Sequence, residues 1–315
     1  MKRLIVVAIQ VAALAAFAAG PPLQEFCTAF NGKDCEIIWS ATNQLPRSVK
    51  IFRAVPTKFS PSTISNLLQI AELKPDQRKR VDQDGVFAGK DVQFFADRKE
   101  TRQLNLIPSQ GFIVISKDGT EAKIPKEMPV GVPDSKDALR LTLQILEKIG
   151  IRQSDLTTNA AGKFLGGSSE ATVLHKDKGS GQLVTNIVQR EISLNRQIEG
   201  IPVRGGAGIQ ARFGNEGKLA YLSVVWRTVS PDKDCPVPDA AGFVDHVKSG
   251  RTQIPNEQAN AIFKKIVVTN VSFYYWESSG SELQTRIYPF AVLEAQTDKP
   301  GENSNVQLFV PLANE

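Results

Sequence analysis

Histidine and cysteine are scarce in this 315-residue chain, with two and three copies respectively, and that scarcity removes several chemistries at once. His175 and His246 lie far apart, and no cysteine or aspartate spacing builds a metal site with either. His175 precedes Gly179 on a loop or strand end, and His246 sits on the polar side of a helix, so both read as solvated surface residues. There is no His-Glu-x-x-His metallopeptidase motif and no CxxC redox pair. The run Gly166-Gly167-Ser168-Ser169 lacks the Gly-Lys-Ser/Thr ending of a phosphate loop and does not fit a Gly-x-Ser-x-Gly nucleophile elbow. Gly206-Ala-Gly208-Ile-Gln-Ala211 fits the loose dinucleotide pattern. However, Ile209, Ala211 and Phe213 alternate after it as a strand, where a phosphate needs a helix N-terminus. Those glycines therefore predict a corner or bulge in a sheet. Carboxylates are numerous, but no spacing singles out a glycosidase pair. The sequence implies no catalytic residue, no cofactor and no metal.

Blocks of one charge are also missing. The net charge is +5, with the charges interspersed, and Arg78-Lys79-Arg80 is only a short basic knot. A solvated surface accounts for it, and a nucleic-acid partner is not expected. Long apolar runs are confined to the start. Lys2 and Arg3 precede an apolar stretch from Leu4 to Ala16, and Ala16-Phe17-Ala18 supplies the small residues a signal peptidase needs. Residues 1–18 thus read as a signal peptide cut after Ala18, which removes Lys2 and Arg3 and lowers the net charge from +5 to +3. No later run approaches the ~20 apolar residues of a stable membrane span. The expected location is secreted, periplasmic or otherwise extracytoplasmic.

In such an oxidising compartment Cys27 and Cys35 are the favoured disulfide pair, although Cys235 is an alternative partner for either. The sequon Asn270-Val-Ser272 lies in an apolar strand, which argues against its glycosylation.

Three segments carry complete helix signals. Ser60 caps a helix beginning at Pro61, with Ile64, Leu67, Leu68 and Ala71 on one face. A second starts at Asp134 or Ser135, carries Leu139, Leu143, Leu146 and Ile149, and stops at Gly150. A third starts near Pro238-Asp239, buries Ala240 or Ala241, Val244 and Val247, and stops at Gly250. Between them run strand patterns: 48–55, 92–96, 102–107, 111–116, 188–198, 209–213, 218–226, 266–276, 283–294 and 306–311. In the 188–198 segment Arg190, Ile192, Leu194, Arg196 and Ile198 share one face. Phe273 and Tyr275 alternate with Tyr274 and Trp276, which places one pair against a helix and leaves the other to pack or to form a platform for sugar or peptide. The proline-rich stretch 124–133 reads as a linker. The expected fold is α+β, with two domains, 19–130 and 131–315, each an antiparallel sheet packed against one or two amphipathic helices.

Ile198-Glu-Gly-Ile-Pro-Val-Arg-Gly205, the alternating strand 209–213 and Asn215-Glu-Gly-Lys-Leu219 form a meander. It resembles the core hairpin of PepSY and FTP propeptide-like domains, whose pattern runs Asn-Gly-Val-Pro-Val-x-Gly, an alternating strand, then Asp-Gly-Lys. The helix at 238–249 fits, as do Tyr274-Tyr275, Gln284-Thr285 and Tyr288-Pro289. The resemblance covers roughly 131–315, and the two-part layout is similar to extracytoplasmic regulators of the YycH and YycI type. In peptidase precursors such a module precedes a metallopeptidase, and here that motif is absent. The resemblance therefore implies action in trans. It suggests an exported non-catalytic binding or regulatory protein that modulates or inhibits a secreted or envelope peptidase. The candidate partner-binding edge is Gly200, Ile201, Pro202, Val203, Arg204 and Gly205. The alternatives are a secreted hydrolase whose site is not visible in sequence, and a structural or adhesive envelope protein.

Overall fold

The computed structural model describes residues 27–79, 91–117, 129–176, 182–280 and 282–313. The expected signal segment 1–18, most of the proline-rich stretch and the expected turn at Asp118-Gly119 lie outside them. The chain runs through β1 (Cys27–Phe30), β2 (Glu36–Trp39), β3 (Ser48–Val55), α1 (Pro61–Ala71), β4 (Arg78–Lys79), β5 (Gln93–Ala96), β6 (Arg102–Ile107) and β7 (Phe112–Lys117). It continues with α2 (Ser135–Lys148), β8 (Gly166–Lys176), β9 (Leu183–Leu194), β10 (Gln197–Ile198), β11 (Ile201–Gly205), β12 (Gly208–Phe213) and β13 (Leu219–Val225). Then follow β14 (Thr228–Pro236), α3 (Ala240–Lys248), β15 (Thr252–Pro255), β16 (Lys265–Glu277), β17 (Arg286–Thr297) and β18 (Asn305–Pro311).

The strands form two sheets, so the fold is α+β. One is fully antiparallel in the order β4-β5-β6-β7-β13-β12-β9-β8. The other runs β1-β15-β18-β17-β16-β11-β10, with β2 beside β16, β3 beside β17 and β14 beside β3. Residue 130 divides the sequence but not the sheets. β7 pairs with β13 in the first sheet, whereas β1 pairs with β15, β2 with β16 and β3 with β14 in the second. The apolar faces on either side of the proline-rich stretch are completed by each other.

The helices form where their end signals stand. Ser60 Oγ accepts from the Thr63 amide at 3.0 Å, and Asp134 and Asp239 cap α2 and α3 in the same way. α1 and α2 cover one face of the first sheet, where Leu67, Leu68, Ala71 and Leu146 meet Leu104, Ile115, Ile192, Ala211, Phe213 and Leu222. α3 covers one face of the second through Phe243 and Val247, which meet Ile254, Ile266, Val268, Leu293 and Leu308. Phe243 takes the buried position expected of Val244, which is half-buried. The larger side chain wins the core because it removes more apolar area from water.

The expected disulfide is replaced by three free, buried thiols. Cys27 packs with Phe290 and Phe309, Cys35 lies in the core beneath α3, and Cys235 packs with Val49 and Ile51. Cys35 Sγ donates to the Phe263 carbonyl (2.9 Å) and Cys235 Sγ to that of Leu312 (3.0 Å). Nearness in sequence misled here, because β1 pairs with β15 while Cys35 turns inward to a different cluster. Burial pushes all three thiols up, with Glu257 adding to the effect at Cys27 and Asp298 at Cys35. They are therefore poor nucleophiles. A thiol reagent should find all three only after denaturation, and a reductant should leave the unfolding midpoint unchanged. A midpoint that falls with reductant would contradict this arrangement.

Candidate functional site

The segment 200–205 is not a free edge. Glu199 and Gly200, with φ of +48° and +80°, are the two central residues of a tight hairpin joining Ile198 to Ile201. β11 then lies parallel to β16, with Val203 opposite Tyr275 and Gly205 opposite Glu277. Its other side is held by β10 and by Val203 N–H donating to the Arg196 carbonyl at 2.8 Å. Val203 is buried, and the Arg204 guanidinium lies 3.9 Å above the Tyr274 ring, which stacks in turn on Phe290. The aromatic strand packs on both faces: Tyr275 meets Phe52 edge-on and Phe273 joins the core under α3 on one, while Tyr274 and Trp276 pack against Phe290 and Phe309 on the other.

Gly205-Gly206-Ala-Gly208 carries the chain from the second sheet to the first. Gly205 has φ +100°, and a Cβ there would lie 2.3 Å from the Glu277 carbonyl oxygen. At Gly206 a Cβ would lie 2.4 Å from Ser279 Cα, and the Gly206 amide donates to the Glu277 carbonyl. The sequence pattern thus marks a sheet-to-sheet corner, as expected of glycines followed by a strand.

At that corner sits a charged group absent from the sequence reading. Glu277, fully buried at the end of β16, accepts from Arg196 Nη1 (2.9 and 3.2 Å) and from Arg227 Nη1 (3.2 Å) and backbone N–H (3.3 Å). Arg196 lies between β9 and β10, Arg227 between β13 and β14, so the triad ties two crossovers to the second sheet. Arg227 Nη1 and Nη2 also donate to the carbonyls of Ser278, Ser279 and Glu282, which fixes the loop after β16. Arg196 donates to the Arg227 carbonyl (2.8 Å) and lies against Trp226. Burial pushes the Arg196 pKa down, opposed by Glu277. Two guanidiniums around one carboxylate, each donating to carbonyls, make a structural clamp with no exposed reacting atom. The arginines at 190 and 196 on an otherwise apolar strand face were the available signal.

His246 does not join this group. His246 is half-buried on α3, its Nδ1 lacks a hydrogen-bond partner, and burial and Arg251 hold its pKa down against Asp245. Because the folded value is depressed, stability is present above the unfolded value near 6.5 and is lost as pH falls through the folded one. His246→Gln should flatten the stability loss between neutral and mildly acidic pH. An unchanged slope in urea unfolding would contradict this. Asn270 of the sequon is tied by its Nδ2 to Glu294 Oε2 (3.2 Å) and Ser272 Oγ (3.4 Å). Among the described residues no three or more His, Cys, Asp or Glu side chains gather as a metal site. No described helix is long and apolar enough to cross a membrane.

A long free edge of the first sheet lies elsewhere. β8, 11 residues long, is the last strand of the first sheet and pairs only with β9 among the described strands. Residues 166–172 and Leu174 are exposed, and Leu174, Leu183 and Val184 stand out near the hairpin end at 61%, 70% and 37% exposure. The opposite edge, β4, has only two residues. A glycine- and serine-rich start hid β8 from the sequence pattern.

No family model and no curated protein matches the chain. Among solved structures, the fold is similar to an uncharacterized protein from Eubacterium rectale (TM-score 0.42, 12% identity, 87% of this chain and 86% of that one). It is also similar to the YpeB C-terminal domain of Bacillus megaterium (TM-score 0.32, 12% identity, 82% of this chain and 95% of that domain).

Proposed function

We propose that this is an exported, non-catalytic binding protein that receives an extended segment of a secreted or cell-envelope protein along β8. The observation that carries the reading is an 11-residue edge strand, paired on one side only among the described strands, with residues 166–172 and Leu174 exposed. Proteins normally blunt such edges with proline, inward-pointing charge or a short strand. β8 contains no proline, and its one described charge, Glu170, is paired with Arg190. Main-chain groups on the open side would bind a partner strand, while Leu174 and Leu183 offer apolar contact for alternate side chains. The likeness of 198–219 to PepSY and FTP propeptide-like modules supports a regulatory role in trans, with an envelope or secreted peptidase as the target.

The test pairs the mature wild type with Thr172→Lys/Leu174→Lys, two exposed positions whose change should alter stability by no more than about 0.5 kcal/mol each. Immobilised wild type should retain a defined protein from the native secretome and the lysine variant should not. A protein retained equally by both, or none by either, overturns the edge as the binding element.

A further inference from the structure

An independent feature lies at the far end of the second sheet, on the face turned away from α3. A cleft of about 430 Å³ opens there between the turn after β15 and strands β16, β17 and β18. It falls within the roughly 300–1,000 Å³ of small-ligand sites. Its polar lining includes the carboxylates Glu257 and Glu294, the carboxamides Gln258, Gln296 and Gln307, and the Thr269 hydroxyl, with no basic side chain. In a chain of net charge +5 this is a local reversal of sign.

The floor is irregular in a specific way. Val268 pairs with Ala295 and Asn270 with Glu294, so Thr269 is an extra residue in β16, a β-bulge. Bulges re-aim side chains and are over-represented beside functional sites. Here the bulge lets Thr269 Oγ1 donate to the Glu294 carbonyl (3.0 Å), while Asn270 Nδ2 reaches one carboxylate oxygen of Glu294 (3.2 Å). Glu294 is half-buried on a central strand, so its position is set by a rigid ladder on both sides. Gln258 Nε2 donates to the Asn305 carbonyl (3.1 Å) and holds the turn that carries Glu257 against β18.

We propose that this cleft binds an organic ammonium group, carried by a lysine side chain or by a free polyamine. Glu257 and Glu294 offset its charge, and the carboxamide and hydroxyl oxygens take its three N–H donors. A calcium-type cation fits less well, because it needs six to eight oxygens and no metal-ligand cluster gathers among the described residues. A sugar fits less well too, since Tyr274 on this face is covered by Arg204 and aromatic rings are absent from the cleft lining.

The test is an NMR titration of the mature protein with N-acetyl-lysine methylamide, with spermidine and with the uncharged norleucine analogue. The lysine compound or spermidine should shift resonances of 255–258, 269, 294–296 and 305–307, and which of the two binds more tightly identifies the source. Binding should weaken about tenfold in Glu294→Gln and again in about 0.5 M salt. Glu257→Gln, in an exposed turn, provides a second variant that leaves the sheet intact. Equal binding of the norleucine analogue, the same shifts with calcium alone, or no effect of either substitution overturns the proposal. The Thr172→Lys/Leu174→Lys protein should retain amine binding, so failure of the β8 reading and failure of this one are separable.

Discussion

Replacing Glu277 by glutamine should destabilise the protein by about 3–5 kcal/mol, the usual cost of leaving a buried charge unpaired. Arg196 and Arg227 would then share a core, at 5% and 1% exposure, with no countercharge. The glutamine amide would also set an N–H against guanidinium donors that now point at a carboxylate. Urea unfolding monitored by tryptophan fluorescence measures the loss, with an unchanged m-value as the sign that the folded state persists. The double variant Arg196→Met/Glu277→Gln should be less destabilised than the two single effects added, because removing one guanidinium relieves the imbalance. Strict additivity would mean that the carboxylate and Arg196 do not act as a unit. Arg227→Met tests a further role: it frees the carbonyls of Ser278, Ser279 and Glu282, so the loop after β16 should gain amide exchange ahead of the strands.

The second large effect is expected at the glycine corner, where a graded series separates backbone strain from steric conflict. Gly167→Ala should change stability by no more than about 0.5 kcal/mol, since nothing lies within 4 Å of the new methyl. Gly200→Ala also meets nothing within 4 Å, but its φ of +80° should cost about 1–2 kcal/mol. Gly205→Ala combines φ +100° with a methyl 2.3 Å from the Glu277 carbonyl oxygen, and should cost at least about 3 kcal/mol. The conflict is with backbone, so no side-chain rotation relieves it. The parallel register of β11 on β16 has to move instead. Equal effects at Gly200 and Gly205 would show that the corner tolerates a side chain and that close approach of the two strands is not required.

Local signals were legible where local physics decides the outcome. The caps Ser60, Asp134 and Asp239 mark the three helix starts, and the alternations at 48–55 and 102–107 give the limits of β3 and β6. The arginines at 190 and 196 stood in the buried phase of their strand, yet their meaning depended on remote partners. Glu277 lies 81 residues from Arg196 at the end of an apolar run, and no spacing announces the pairing. β14 was invisible because Pro231 and Pro236 interrupt it, and its ladder to β3 shifts register between Pro231 and Lys233. The segment 200–205 looked like an available edge because a strand bounded by glycines carries no sign of its neighbours. Its parallel partner β16 arrives some 70 residues later in sequence. The same blindness hid an open edge, since nothing in Gly166 to Ser169 announces that β9 will pair with it.

Deuterium uptake across residues 166–176, measured on the protein alone and with the partner proposed to bind β8, tests the central claim most directly. In the free protein, the amides of β8 that point away from β9 should exchange rapidly. With the partner bound, those same amides should slow by about tenfold or more as they enter a second ladder. Binding that leaves β8 unprotected while protecting another surface would contradict the account.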